Sequence, residues 1–205
     1  MHIAIKMLHR SVLSYFTAEL PSEAPPPVEE KKYMDIFCDG ACLRNGDRLF
    51  GSAGIGVYVL LENKPFAQVS ERLEEDEPQT NQRAELQALK KALEYAVECP
   101  EEYDIRIFSD SEYAIKCITV WASQWRRNNW MKKTENEEVM HKHLIEEAYF
   151  LWLSIQSRVT IEHVKSHTEK QDWKSQGNKV ADRLAVSSIR QPGSKFMHRK
   201  ETYKL

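Results

Sequence analysis

The chain has 205 residues, 41% of them hydrophobic and 29% charged, and a formal net charge of −2. That length accommodates one domain with a sizeable core plus modest tails, and the near-neutral balance excludes a global basic field, so affinity for a polyanion must come from a local patch. No run of about 18 apolar residues is present, which excludes an apolar helical membrane span, and the four cysteines form no CxxC pair, which fits a reducing compartment rather than a disulfide framework.

Residues 1–32 read as a flexible leader and linker. Met1 to Ala18 contains Lys6, Arg10 and several apolar residues but no acid until Glu19, the composition of a candidate targeting presequence, with a plain unstructured leader as the alternative. Four prolines follow between Pro21 and Pro27, then Glu29, Glu30, Lys31 and Lys32, which predicts an extended connection. The globular unit is expected over residues 33–190. Tyr33 to Cys38 predicts a strand, Gly40 to Phe50 a turn-rich connection, Ala53 to Leu61 a second strand and Phe66 to Leu73 a third, in the manner of an antiparallel meander. Pro78 opens a helix whose apolar positions, Ala84, Ala88, Leu89, Ala92, Leu93 and Ala96, recur at helical spacing up to Cys99-Pro100.

Asp104 to Phe108 is a short buried-type strand, followed at once by a helix from Ser111 to about Trp121. Glu137 to Gln156 predicts another helix, Val159 to Val164 a fifth strand, and Asn178 to Ile189 a closing helix; the basic stretch 191–205 reads as a loose tail. Three strands followed by helix–strand alternation imply an α/β fold: a five-stranded mixed sheet, its first three strands antiparallel, flanked by helices.

Four acids occupy distinctive settings on these elements: Asp39 in Phe37-Cys38-Asp39-Gly40, Glu85 in Thr80-Asn81-Gln82-Arg83-Ala84-Glu85, Asp110 in Ser109-Asp110-Ser111, and Asp182 in Ala181-Asp182-Arg183. Asp39 and Asp110 end apolar strand patterns; Glu85 and Asp182 lie near helix starts. Carboxylates are hard oxygen donors suited to Mg²⁺, and a cluster of them repels itself when empty, so their gathering at one sheet edge points to metal chemistry. Asp182 or Glu85 taken singly is also consistent with a solvated helix cap. A second signal is a stretch without acids holding Trp121, Trp125, Arg126, Arg127, Trp130, Lys132 and Lys133, a local basic patch with stacking surfaces that can follow phosphates and sugars without reading sequence. Trp121 and Trp125, four residues apart, are also placed to pack on one another along a helix.

With His163-Val164 and His167, and with Gly177-Asn178 running into Ala181-Asp182-Arg183-Leu184-Ala185, these phrases resemble ribonuclease H of type 1 across roughly Tyr33 to Ile189. The resemblance implies a ribonuclease H-like fold with a basic helical protrusion. It also implies two Mg²⁺ ions, for which Mn²⁺ substitutes, on Asp39, Glu85, Asp110 and Asp182. The expected activity is endonucleolytic cleavage of the RNA strand of RNA/DNA hybrids, leaving 3′-hydroxyl and 5′-phosphate ends. His167 is implied as a proton carrier, in line with its ordinary pKa near neutrality, although Lys165-Ser166 stands where the family usually has Pro-Gly. Cys42, through its backbone, Asn45, Asn81 and Gln82 match the family's RNA contacts, near enough to read a 2′-hydroxyl. Thr80 is retained from the DNA-side phosphate pocket, but Pro78 replaces its usual cation and His141 its usual Asn, which predicts a weaker grip. The implied protein acts as a monomer without a membrane, in the nucleus, the mitochondrion or both, with the cytoplasm a third compartment. A catalytically weak hybrid-binding module on the same fold is the competing expectation.

Overall fold

The computed structural model describes residues 31–47, 51–132, 137–165 and 172–190. Within them, five strands form one sheet: β1 (Lys32–Leu43), β2 (Ser52–Leu61), β3 (Lys64–Arg72), β4 (Tyr103–Ser109) and β5 (Val159–His163), in the order β3-β2-β1-β4-β5. β1 pairs antiparallel with β2, and β2 with β3; β4 joins β1 in parallel, and β5 joins β4 in parallel. The expected mixed sheet is therefore present. β1 is central and covered on both faces, which is why its sequence reads as a continuous apolar run rather than an alternation. Ile36 and Cys38 face the larger core, built with α1 (Asn81–Glu98) and α4 (Lys142–Ile155); Phe37 faces the other way and stacks on Phe108 of β4 at 4.9 Å beneath α5 (Trp173–Arg190).

Four boundaries differ from expectation, each for a local reason. β1 runs through Asp39 and Gly40 to Leu43, where a turn was expected, because its pairing with β2 continues until Arg44 and Gly46 take positive φ angles of 53° and 80°. The helix after Asp110 does not stop at Trp121. It comprises α2 (Glu112–Lys116), a π-helical turn at Cys117–Trp121 and α3 (Ala122–Arg127). The β-branched run Ile118-Thr119-Val120 fits α-helix poorly, and the Thr119 hydroxyl donates back to the Ile115 carbonyl at 2.8 Å. α4 starts at Lys142 rather than Glu137, since Glu138 bridges Met131 and His141 adopts φ 60°. α5 starts at Trp173 rather than Asn178: Asp172 caps it by accepting from the Ser175 N–H at 2.9 Å, and Trp173 packs edge-on against Phe108 at 5.3 Å.

Among the described residues no helix is long and apolar enough to cross a membrane. The leader over residues 1–30 and the tail over 191–205 lie outside the described residues.

Candidate active site

Parallel pairing sets Cys38 beside Ser109, so the next residues, Asp39 on β1 and Asp110 just past the end of β4, stand at the same level of the sheet. The two helical acids are brought in by close backbone approach. A Cβ on Gly40 would lie 2.3 Å from the Glu85 nitrogen, so only glycine lets α1 press its Glu85 turn onto β1. Gly56 faces Asp39 across the β1–β2 ladder, and a Cβ there would lie 2.0 Å from the Ala181 carbonyl oxygen; its absence admits the α5 turn that carries Asp182. The outcome is one cavity of about 390 Å³, lined by Asp39, Glu85, Asp110 and Asp182 together with Gly40, Cys42, Asn81, Asn178 and Lys179.

Burial foremost, then the charges of Asp110 and Asp182, push the Asp39 carboxyl up to about 8, against a single backbone hydrogen bond from the Gly40 N–H at 2.8 Å. Glu85 is also raised, chiefly by burial, with hydrogen bonds from Ser111 and Asn81 pulling the other way. Among the described residues no three His, Cys, Asp or Glu side chains are gathered as a ready-made ligand set for one ion. The donor chemistry nonetheless fits a divalent cation: four hard oxygen donors share a cavity in which they repel one another, and a cation would relieve that repulsion.

The expected neighbours of the acids differ in where they stand. Asn45 and Asn81 are in place and already engaged: the Asn45 side-chain oxygen accepts from the Asn81 N–H at 2.9 Å, and Asn81 Nδ2 donates to Glu85 Oε1 at 2.6 Å. Cys42 lines the cavity, its thiol donating to the Gln79 carbonyl at 3.3 Å. Gln82 is exposed on the outer side of the first turn of α1 and does not line the cavity. His163 places Nε2 3.1 Å from the Asp110 carbonyl oxygen. His167 and Lys133 lie outside the described residues.

The ridge is partly as expected. Trp121 and Trp125 are half-buried and pack on each other at 5.7 Å, while Arg126 and Arg127 are exposed and Lys132 reaches Glu137 at 3.2 Å. Trp130 is a correction: it is only 5% exposed and belongs to the main core, so it supports the ridge from below and offers no stacking face.

Where a phosphate pocket was expected, Thr80 caps α1 by accepting from the Arg83 N–H at 3.3 Å. Burial, then the Arg83 charge, holds His141 below its ordinary value, which disfavours the charged form that would replace the missing cation. Arg83 is the cation present; it pairs with Glu77, yet its Nε, like His141 Nε2, is buried without a hydrogen-bond partner among the described residues.

Sequence reasoning missed three residues of the cleft. Ser111 donates to Glu85, Asn178 Nδ2 donates to Asp110 Oδ2 at 3.2 Å, and Lys179 brings a positive charge to the cavity wall. All three sit inside or beside the phrases that carry the acids, but nothing in spacing alone separates a cleft-facing Ser, Asn or Lys from a solvated one.

The family model described as RNase H matches residues 31–190. "Ribonuclease H" of Schizosaccharomyces pombe is 37% identical over 150 residues, covering 73% of this chain and 50% of that protein. "Ribonuclease H1" of Homo sapiens is 32% identical over 192 residues, covering 89% of this chain and 62% of that protein. The chain thus spans between half and two thirds of the length of these two relatives. Among solved structures, the RNase H domain of prototype foamy virus superposes with a TM-score of 0.64 at 22% identity, over 78% of this chain and 96% of that one. LC9-RNase H1 superposes at 0.59 and 22%, over 82% and 74%. The structural neighbours speak for the fold, and the sequence match for descent: this chain belongs to the ribonuclease H family, type 1.

Proposed function

We propose that the chain cuts the RNA strand of RNA/DNA hybrids, leaving 3′-hydroxyl and 5′-phosphate ends. The observation that carries this reading is the convergence of Asp39, Glu85, Asp110 and Asp182, from four separate elements, on one cavity. Divalent metal ions are general to the family; here two Mg²⁺, or Mn²⁺ in their place, would be held by those carboxylates. Such ions supply a water of lowered pKa and neutralise charge on the attacking and leaving oxygens.

The protein's own groups do the rest. Asn81, whose N–H the Asn45 side chain holds, stands in the wall beside Glu85, and both are assigned to the RNA strand's 2′-hydroxyls. The half-buried Trp121 and Trp125 shape the seat of the DNA strand, and Arg126, Arg127 and Lys132 meet its phosphates. Thr80 and Arg83 take one further phosphate. His167 is assigned proton transfer on the strength of its chemistry and its place in the sequence. We also take the chain to act as a single copy, off the membrane and in the nucleus or mitochondrion; fusing residues 1–30 to a reporter tests the compartment.

The test of the activity is cleavage of an end-labelled hybrid in Mg²⁺, with Asp110→Asn as control. RNA-strand cutting that the substitution abolishes is expected. Tight hybrid binding by the wild-type chain without any cutting would select the binding-module reading instead.

A further inference from the structure

Ser111 follows Asp110 directly and is 6% exposed. A serine hydroxyl carries one proton and two lone pairs. Here a lone pair accepts from the Ala114 N–H at 3.1 Å, which caps α2, and the proton goes to Glu85 Oε2 at 2.6 Å. The other Glu85 oxygen is held by Asn81 at 2.6 Å, so the carboxylate is fixed from both sides. Capping requires only the lone pair, and several residue types provide it. Accepting from the helix and donating to a carboxylate through one atom requires a hydroxyl; an aspartate would cap α2 equally well but repel Glu85. The same hydroxyl also joins the cleft to the ridge, because α2 leads through the π-helical turn into Trp121, Trp125 and Arg126.

We infer that Ser111 is a positioning residue, whose hydroxyl fixes the Glu85 carboxylate for divalent-ion binding and ties the first turn of the ridge helix to that carboxylate. The inference rests on the cleft being the nuclease site. Its geometry is of the kind in which outer groups orient metal ligands, where loss typically weakens metal binding or activity by about 10–100-fold.

The test compares Ser111→Gly, Ser111→Cys and Ser111→Thr in the full chain. Glycine is an acceptable N-cap but donates nothing, cysteine keeps the shape with a weak donor, and threonine keeps both donor and cap. Mg²⁺ is titrated into the ¹⁵N-labelled chain without substrate, and kcat and KM are measured on a hybrid. Ser111→Gly is expected to need about tenfold more Mg²⁺ for half-saturation. Its kcat on the hybrid should fall with the loss of bound Mg²⁺. Ser111→Cys should behave likewise if glycine loosens the helix, and Ser111→Thr should restore Mg²⁺ binding. A Ser111→Gly and a Ser111→Cys titration that both overlay the wild type overturn the inference, whatever happens to cleavage. A wild-type chain that cuts no hybrid, yet loses Mg²⁺ binding on Ser111→Gly, removes the nuclease reading and leaves the positioning role standing.

Discussion

At Asp39, burial and two neighbouring carboxylates act in the same direction, and the consequence can be read from stability as well as from catalysis. A carboxyl raised in the folded state costs nothing below its unfolded pKa, and that cost grows as pH rises toward the folded value, here about 8. The metal-free chain should therefore melt progressively lower from pH 4 to pH 8, and Asp39→Asn should melt higher than wild type at pH 8, with the gap closing toward pH 4. Thermal denaturation in a chelator checks this; equal melting temperatures at pH 8 would show that neither burial nor the neighbouring carboxylates disfavour a charged Asp39. At the proposed phosphate pocket, Arg83 is the cation assigned to the substrate. Arg83→Gln should lower the slope of log K against log salt for hybrid binding by about 0.9, the value of one phosphate contact, whereas Thr80→Ala should weaken binding and leave the slope in place. An unchanged slope in Arg83→Gln would remove Arg83 from the substrate.

The elements bring these residues together through close packing more than through sequence spacing. Gly40 and Gly56 are points where helices rest on strand backbone, one on each face of the sheet. Gly40→Ala forces the Glu85 turn of α1 outward and should cost about 1–3 kcal/mol by overpacking. Activity should fall further than that loss of stability explains, since Glu85 moves with the turn. Denaturant melts beside cleavage rates measure both, and wild-type cleavage by a destabilised Gly40→Ala would show that the position of α1 is not limiting. Asp39 and Asp110 were legible because each is an acid that interrupts or ends a largely apolar strand. Strand and helix existence was legible for the same reason, since burial leaves a period in the sequence. The π-helical turn was not, because a one-residue insertion leaves apolar spacing almost intact. The start of α5 was also missed: its signal is Asp172 with Trp173, and the helical period shows only from Asn178. Trp130 could not be told from Trp125 by composition; its burial depends on positive φ angles at Asn129 and Trp130 that turn the ring inward.

For the molecule as a whole, sheet order decides where chemistry can occur. The central position of β1, antiparallel to β2 and parallel to β4, places Asp39 where helices from both faces can deliver an acid, and the ridge helix begins at that same point through Ser111. A loss confined to one acid should then disable the whole cavity, because each carboxylate stands on a different element and no neighbour can take its place. The decisive measurement is the Mg²⁺-dependent rate of RNA-strand cleavage by the wild-type chain and by Asp39→Asn, Glu85→Gln, Asp110→Asn and Asp182→Asn, each shown to be folded by its melt. The wild-type chain should cut and all four variants should fall far below it; a folded variant of any of the four that cuts a hybrid at the wild-type rate would contradict a shared four-carboxylate site.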